Sequence, residues 1–350
     1  MPTTLPRLTL VGAIVPISGY GMHLIQIARD VARLAPAYVS IRATHYGEIF
    51  GAKIDPDIRS SIVQGIQPEP WELLLHPPNL LPTPSKKTAY FTMWESTKLP
   101  PFGVTFLNKA KVVIVPSRWN ESCFTAEGVT SPVRVVPLGI KPEIFYPKPP
   151  TEEMDALCIF GTGGRMAHGG ARKGLNEVME AFQKAFPRSV SDVRLKVKCF
   201  PDCNVDSVTD PRIMFTKAYL NEPQMGDWFH GIHCFVSGAK AEGWGLMQHQ
   251  ALATGRPLIS VNFGGVTEFF NSTLGYVIPY RLAKATGPYE GCGYMAEPSI
   301  DHMVDAMRHV YYNRHQALVM GERAASAVQH LTWENSNQQL VNVLREFGAL

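Results

Sequence analysis

One stretch of the sequence combines a carboxylate, two glycines and the start of a helix. Glu242 opens the run Glu-Gly-Trp-Gly-Leu at residues 242–246, and helix-forming residues continue to 254 before a glycine and a proline stop them. An apolar run at 232–237 predicts a buried strand just before it. A strand, a glycine turn and a helix in this order direct helix N-terminal amides at an anion, and glycine lets the backbone approach a ligand closely. An ordinary turn between a strand and a helix is the alternative interpretation.

A second glycine-rich loop carries positive charge. The loop starts at Gly161, runs to residue 174 and contains the cationic side chains of Arg165, Arg172 and Lys173. A predicted strand precedes it, and a predicted amphipathic helix at 175–186 follows it. Glycines beside several cationic donors predict a diphosphate site. The Gly-Lys-Ser/Thr ending of a Walker loop is absent, and a basic surface loop without a ligand is the alternative.

The N-terminal half begins with the same order of elements. An apolar run at 7–15 predicts a strand, the next residues include Gly19 and Gly21, and a helix pattern follows at 23–34. This order suits a doubly wound sheet, in which ligands bind at the carboxyl ends of the strands. The third glycine of the dinucleotide fingerprint and an acidic residue at the ribose spacing are both missing, so a nicotinamide cofactor is disfavoured. We expect this loop to admit part of a substrate.

Polar or small residues follow the other strands predicted in the first half. Apolar runs predict those strands at 37–42, 71–75, 88–93, 111–116 and 134–137. Directly or shortly after the last four come His76, Glu95, Ser117 and Gly139. Because the carboxyl ends of parallel strands meet at one edge, we expect these residues to face a common crevice. Turn or helix capping is the alternative role for the three polar side chains.

Length and composition limit the class of protein. With 350 residues, 45% hydrophobic and 18% charged, the chain is typical of a globular protein with two cores. A net charge of +3 does not require a nucleic-acid or membrane partner. No apolar run has spanning length and the N-terminus is not typical of a signal peptide, so we expect a cytoplasmic protein without an integral membrane segment. The six scattered cysteines predict reduced thiols, and Cys199 and Cys203 lack the further ligands of a metal site.

Several short motifs follow one another in a fixed order. They are Val-Pro-Ser-Arg-Trp-Asn at 115–120, Val-Val-Pro-Leu-Gly-Ile at 135–140, Phe-Tyr-Pro at 145–147, Arg-Lys-Gly at 172–174, Ala-Glu-Gly-Trp-Gly-Leu at 241–246 and Gly-Gly at 264–265. This order resembles the nucleotide-sugar glycosyltransferases of family four, from about residue 88 to the C-terminus. Thr-Met-Trp-Glu at 92–95, Glu-Pro-Ser-Ile-Asp at 297–301 and the final helix from 333 resemble the branch with the Glu-Gly-Trp-Gly-Leu motif.

The resemblance implies a GT-B fold of the α/β class, with two Rossmann-like doubly wound domains facing a central cleft. The N-terminal acceptor domain is expected at 1–147, the donor domain at 148–331, and a C-terminal helix at 332–350 returns to the first domain. A proline-rich linker at 146–151 marks the boundary. The implied reaction is retaining: a hexose moves from a UDP- or GDP-type sugar to an acceptor hydroxyl. No metal or other cofactor is expected, because basic side chains and helix dipoles replace a metal ion.

Residue roles follow from the same resemblance. Arg172 and Lys173 would neutralise the donor diphosphate and stabilise the leaving nucleotide, while Glu242 would hold hydroxyls of the donor sugar. His76 and Glu95 are acceptor-side or catalytic candidates. The remaining donor-binding candidates are Gly19, Gly21, Gly161, Arg165, Gly243, Trp244, Gly245, Leu246 and Gln250.

One position departs from the family pattern. The second carboxylate of the family's Glu-x7-Glu motif falls at Gln250, which accepts from one ribose hydroxyl and donates to the other instead of accepting from both. A sugar-nucleotide-binding protein without turnover is therefore a second hypothesis, and a GT-B sugar-nucleotide epimerase is a third. The acceptor stays open between a saccharide, a lipid-linked sugar reached at the membrane surface, a protein and, as a minor alternative, a modified DNA base. The oligomeric state also stays open.

Overall fold

The computed structural model describes residues 6–15, 18–35, 37–46, 56–62, 71–80, 82–84, 87–149, 156–165 and 170–350. The chain divides into two compact units. Unit 1 comprises Met1–Gly139, Gly291–Gly293 and Leu331–Leu350, and unit 2 comprises Ile140–Glu290 and Tyr294–His330.

Unit 1 is built on a parallel sheet of six strands. The strands are β1 (Arg7–Ile14), β2 (Tyr38–Tyr46), β3 (Trp71–Leu75), β4 (Thr88–Phe91), β5 (Val112–Val115) and β6 (Val133–Val135). Their order is β2-β1-β3-β4-β5-β6, and every neighbouring pair is parallel. Strands β4 and β5 are buried along their whole length, as is usual for parallel strands covered on both faces.

Helices α1 to α4 follow strands of the unit 1 sheet. They are α1 (Gly19–Leu34), α2 (Pro56–Ser60), α3 (Pro101–Leu107) and α4 (Arg118–Ala126). Helix α1 begins four residues earlier than the predicted start at residue 23. The reason is a helix cap: the Ser18 hydroxyl accepts a hydrogen bond from the backbone of Gly21 at 2.9 Å, so the glycine run forms the first helical turn.

Unit 2 is built on a second parallel sheet of six strands. These are β7 (Cys158–Gly163), β8 (Val193–Cys199), β9 (Ile213–Lys217), β10 (Cys234–Val236), β11 (Leu258–Ser260) and β12 (Gly275–Val277). The order β12-β11-β10-β7-β8-β9 is the 3-2-1-4-5-6 order of dinucleotide-binding folds, read from the opposite edge. In such sheets the strand order reverses at the centre, here between β7 and β10.

The remaining elements of unit 2 cover this sheet or extend from it. The helices are α5 (Leu175–Ala185), α6 (Glu222–His230), α7 (Leu246–Ala253), α8 (Ile300–Tyr312) and α9 (Arg314–Val328). Between β12 and α8 the chain forms an antiparallel hairpin of β13 (Tyr280–Lys284) and β14 (Tyr294–Pro298). Helix α5 ends against Arg212, whose guanidinium donates to the carbonyls of Phe186, Pro187 and Val190 and pairs with Asp210 at 2.7 Å.

The last helix, α10 (Trp333–Glu346), lies on α1 within unit 1. The Asn337 side chain donates to the Asp30 carboxylate at 2.7 Å, and Arg33 pairs with Glu334 at 3.1 Å. The first division between the units falls after Gly139, whereas the sequence places the domain boundary at 147.

Polar contacts join residues 140–149, the first part of unit 2, to later elements of the same unit. His230 Nε2 lies 2.7 Å from the carbonyl oxygen of Tyr146, and Arg256 donates to the carbonyl of Lys148 at 3.2 Å. The described part of the proline-rich stretch is therefore part of unit 2.

Candidate functional site

The two motifs predicted to bind the donor meet at the switch point of the unit 2 sheet. Strands β7 and β10 are direct neighbours, with Cys234 opposite Phe160 and Phe235 opposite Gly161. The basic loop follows β7 and the turn with Glu242 follows β10, so both lie at the carboxyl ends of these strands. Ligands of open parallel sheets bind at this position.

Glu242 forms an ion pair with both cations of the basic loop. Lys173 Nζ donates to Glu242 Oε1 at 2.6 Å, and Arg172 Nη1 donates to Glu242 Oε2 at 3.3 Å. Arg172 Nη1 also donates to the backbone carbonyl of Ala241 at 2.7 Å. These contacts bring together the three side chains on which the sequence prediction of a donor site rests.

Lys173 and Arg172 keep the Glu242 carboxylate ionised although it is buried. Burial acts to raise the pKa of the Glu242 carboxyl, but the charges and hydrogen bonds of Lys173 and Arg172 outweigh it and lower the pKa. The carboxylate is therefore ionised at neutral pH. It is 12% exposed, and the guanidinium and ammonium groups beside it are 18% and 26% exposed, so these interactions are only weakly screened by water.

Glycine is required where the basic loop touches the segment after β10. Gly174 has a φ of +64° and a ψ of +28°, a left-handed conformation that L side chains rarely adopt. A Cβ atom at Gly174 would lie 1.9 Å from the carbonyl oxygen of Gly238, and one at Gly238 would lie 2.2 Å from that of Gly174. The backbone of Lys240 completes the contact by donating to the Arg172 carbonyl at 2.8 Å. Arg172 and Lys173 are thereby fixed relative to Glu242.

The glycines of the Glu242 turn shape the start of helix α7. Gly245 caps this helix in the left-handed region, at φ +95°, and provides no side-chain acceptor for its first amides. Gly243 packs against Gly265, whose added Cβ would lie 2.0 Å from the Gly243 carbonyl oxygen. Leu246 is the first helical residue and is half-buried. A helix N-terminus without a side-chain cap is suited to an anion.

Two other donor-binding candidates of this turn and helix are buried. The Trp244 side chain is 2% exposed, its ring lies 4.9 Å from that of Phe269 and its Nε1 donates to His249 at 3.3 Å. The side chain of Trp244 therefore packs in the core. Gln250 is 4% exposed and lies one turn into helix α7.

Gly161 and Arg165, the other two candidates from the loop predicted at 161–174, make contacts other than the ion pair with Glu242. Gly161 is inside β7, where an added Cβ would meet the side chains of Ile232 at 2.5 Å and Trp228 at 2.8 Å, so its lack of a side chain makes room for packing. Arg165 is half-exposed and pairs with Asp202 at 3.4 Å. The predicted loop also includes residues 166–169, which lie outside the described residues.

In unit 1 the switch point lies between β1 and β3, where the predicted loop with Gly19 and Gly21 begins. Gly19 is exposed, with no atom within 4 Å of an added Cβ, whereas a Cβ at Gly21 would lie 2.2 Å from the carbonyl oxygen of Val15. Gly19 thus leaves open space at the start of α1, and Gly21 allows the helix to pack on the end of β1.

Tyr20, between these glycines, links α1 to the loop after β4. Its hydroxyl donates to the Met93 carbonyl at 3.2 Å and accepts from the Met93 amide at 3.0 Å. Burial, followed by the nearby charge of Glu95, raises the pKa of Tyr20 far above its ordinary value, so the phenol stays neutral. Glu95 itself is half-buried.

His76 follows β3 at the same edge of the unit 1 sheet. Its Nε2 lies 3.3 Å from the Thr44 hydroxyl, and burial lowers the pKa of the imidazole, which favours the neutral form. The other predicted strand-end residues have structural roles. Ser117 caps α4 through the amide of Asn120, and a Cβ at Gly139 would lie 2.1 Å from the Trp333 nitrogen, so Gly139 packs against the start of α10.

The described residues contain neither a cluster suited to a metal ion nor a helix suited to span a membrane. No group of three or more His, Cys, Asp or Glu side chains in the described ranges is arranged to hold a metal ion. None of the helices in that part of the chain is long and apolar enough to cross a membrane. All six cysteines are free and buried, and burial raises the pKa of the Cys158 thiol to about 12.

Two residues beside the candidate donor site, Lys240 and Tyr289, were not predicted from the sequence. Lys240 pairs with Glu177 at 2.9 Å and Glu297 at 3.3 Å, and the Tyr289 ring lies 5.6 Å from the Arg172 guanidinium carbon. The sequence contains one indication of each residue: Lys240 lies two residues before Glu242, and Tyr289 lies in a loop rich in glycine. Tyr289 does not follow a predicted strand, so a prediction based on the carboxyl ends of strands does not include it.

Two parallel six-stranded sheets with Rossmann-like order define the GT-B class of fold, and the predicted fold class is confirmed. No family model and no curated protein matches the sequence.

Solved structures of GT-B glycosyltransferases match nearly the whole chain. HepE from Anabaena, in complex with UDP and glucose, is 14% identical and covers 98% of this chain and 100% of its own, with a TM-score of 0.69. Sucrose-phosphate synthase from Thermosynechococcus elongatus is 13% identical over 97% and 98% of the two chains, with a TM-score of 0.68. WaaG, a glycosyltransferase involved in lipopolysaccharide biosynthesis, is 13% identical over 97% and 99%, with a TM-score of 0.70. At these identities the likeness is one of fold.

Proposed function

We propose that this protein is a retaining glycosyltransferase that moves a hexose from a UDP- or GDP-type sugar to an acceptor hydroxyl. The observation that carries the proposal is the cluster of Arg172, Lys173 and Glu242 at the switch point of unit 2, beside the N-terminus of α7. The fold neighbours support it, because HepE is solved with UDP and with UDP-glucose. The motif order in the sequence supports it independently.

Each part of the cluster has a role in this reaction. The C1–O bond to the donor phosphate breaks, C1 bonds to the acceptor oxygen on the same face, and the acceptor proton passes to the leaving phosphate oxygen. Arg172, Lys173 and the amides at the start of α7 would stabilise the charge that develops on that phosphate. Glu242 would accept hydrogen bonds from donor hydroxyls, and the cations already hold it ionised for this purpose.

We propose that the reaction needs no metal, since cationic side chains and helix amides replace it. His76 and Glu95 are proposed to face the acceptor, with His76 neutral because burial lowers its pKa. The proposal places the enzyme in the cytoplasm, with peripheral membrane association where the acceptor is a lipid-linked sugar. A saccharide, a protein and a modified DNA base are the other acceptor classes to test.

Calorimetry with UDP and GDP, and nucleotide release from a panel of UDP- and GDP-sugars, test the proposal. Arg172→Ala should weaken nucleotide binding about 10- to 100-fold, since a charged hydrogen bond contributes about 1.5–3 kcal/mol. Arg323→Ala, an exposed arginine of α9, is the matched control and should bind as the wild type does. Absence of binding to either nucleotide in the wild-type protein would refute the proposal. Turnover in the presence of a chelator and the anomeric configuration of the product test the metal independence and the retaining course.

A sugar-nucleotide-binding protein without turnover is the second candidate, and Gln250 favours it. This buried amide stands where the family has a carboxylate. Nucleotide release from a sugar donor that is present in the wild-type protein and lost in Glu242→Gln would eliminate this candidate. Nucleotide release without an acceptor, together with interconversion of the donor sugars, would instead favour an epimerase.

A further inference from the structure

The guanidinium of Arg172 is contacted by Tyr289, which lies outside the sequence motifs. The Arg172 Nη1 atom donates to Ala241 and Glu242, and the ring of Tyr289 lies 5.6 Å from the central carbon of the guanidinium. At this distance an aromatic ring attracts a cation electrostatically. Polar contacts and a ring contact therefore act on one guanidinium group.

Tyr289 is brought to Arg172 by the hairpin of β13 and β14. The short helical turn Gly287–Tyr289 lies in the loop that connects the two strands. Lys240 attaches this hairpin to the site: its carbonyl accepts from the amide of Ala296 at 2.9 Å, and its ammonium pairs with Glu297 at 3.3 Å.

Because the Lys240 amide also donates to the Arg172 carbonyl at 2.8 Å, one residue connects the hairpin and the basic loop. The position of Tyr289 is thereby coupled to the position of the Arg172 guanidinium.

We propose that Tyr289 is a positioning residue of the donor site, which orients the Arg172 guanidinium toward the donor diphosphate. A guanidinium binds phosphate through a planar fork of N–H donors, so its orientation decides how well it pairs. A ring over the group restricts its rotation and lowers the entropy lost when a phosphate binds. This inference rests on the proposed function, because it gives Tyr289 a role only through a donor that Arg172 binds.

The test measures the Kd of UDP and GDP by calorimetry in four single variants and one double variant. Tyr289→Leu removes the ring and should raise Kd about five-fold, which is about 1 kcal/mol of lost cation–π interaction. Tyr289→Phe keeps the ring and should bind as the wild type does. In the background of Arg172→Ala, adding Tyr289→Leu should change nothing further, because the tyrosine acts through the arginine.

Tyr280→Leu is the matched control from the same hairpin. Tyr280 is 42% exposed and its ring lies 5.5 Å from that of Phe263, so it should leave Kd unchanged. Urea unfolding of both leucine variants separates positioning from folding. A midpoint for Tyr289→Leu below that of Tyr280→Leu would assign Tyr289 a structural role and overturn the inference.

Other results distinguish the two proposals. If the wild type binds a nucleotide and Tyr289→Leu binds it equally well, the inference about Tyr289 fails and the proposed function stands. An equal loss in the Arg172→Ala background would also overturn the inference, because the ring would then act independently of the arginine. If the wild type binds neither nucleotide, the proposed function fails and the inference falls with it.

Discussion

Replacing Gly174 with alanine tests whether the contact between Gly174 and Gly238 holds the basic loop in its functional position. An added Cβ at Gly174 lies 1.9 Å from the carbonyl oxygen of Gly238, and real Cβ atoms essentially never lie closer than 3.0 Å. Opening this separation from 1.9 Å to 3.0 Å displaces one backbone from the other by about 1.1 Å. Neither side of the contact is a flexible side chain, so the displacement moves the main chain.

The displacement acts directly on the ion-pair cluster. Arg172 and Lys173 immediately precede Gly174, and their contacts to Lys240 and Glu242 are 2.8 Å and 2.6 Å long. Lengthening either by about 1 Å takes it outside hydrogen-bond distance. A misplacement of about 1 Å in a catalytic site costs about 100-fold in rate, so we expect Gly174→Ala to lower nucleotide release from a sugar donor by about that factor.

The same substitution also places alanine in the left-handed region, and a control variant isolates that effect. Gly128 has a φ of +90°, but no atom lies within 4 Å of an added Cβ. Gly128→Ala should therefore show only the conformational cost, about 1–2 kcal/mol in the free energy of unfolding. Its rate of nucleotide release from a sugar donor should be unchanged. Urea unfolding and nucleotide release are measured for both variants. If Gly174→Ala releases nucleotide as fast as Gly128→Ala, the glycine contact does not position the basic loop and the reasoning is refuted.

Three further predictions concern buried polar groups. Burial lowers the pKa of His23 and His249 from 6.5 to about 3, so the folded state binds fewer protons than the unfolded state between these values. Stability is therefore retained above pH 6.5 and falls as the pH drops toward 3, by up to about 1.4 kcal/mol per pH unit for each histidine. Urea unfolding across this range measures the slope, and an unchanged slope in His23→Phe would contradict the assignment. Gln250→Glu should lower the stability by about 1–3 kcal/mol through a buried carboxylate and tighten UDP or GDP binding through a second ribose acceptor; calorimetry showing weaker binding would argue against the ribose contact. Arg212→Ala should lower the free energy of unfolding by about 3–5 kcal/mol, because it removes the salt-bridge partner of the buried Asp210 carboxylate, and a loss below about 1 kcal/mol would show that the pair is dispensable.

Much of the fold follows from local signals in the sequence. The apolar run at 71–75 predicts β3 with the bounds that the structure gives it, and the run at 246–254 predicts α7 to within one residue. These signals succeed because buried parallel strands and short helices are bounded by turn residues. The start of α1 was predicted wrongly, since glycines at 19 and 21 are typical of a loop and the cap at Ser18 outweighed them.

The direction of individual side chains could not be predicted in the same way. Trp244 stands between two glycines of the turn predicted to bind the donor, yet its ring packs against Phe269. Tyr289 is distant in sequence from Arg172 and reaches it only because the β13–β14 hairpin is attached at Lys240. Both positions depend on tertiary packing, which no local pattern of residue types contains.

The strand order of unit 2 explains why two motifs about 70 residues apart form one cluster. The loop after β7 and the turn after β10 are adjacent because the sheet places these strands side by side, at the point where the order reverses. Arg172 and Lys173 contribute two positive charges and Glu242 one negative charge, so the cluster has a net charge of +1. In a site of low exposure this excess favours a ligand with several negative charges, such as a nucleotide diphosphate, over a neutral sugar. A carboxylate placed between two cations also leaves acceptor oxygens for sugar hydroxyls. The same three residues are therefore suited to the two halves of a nucleotide sugar.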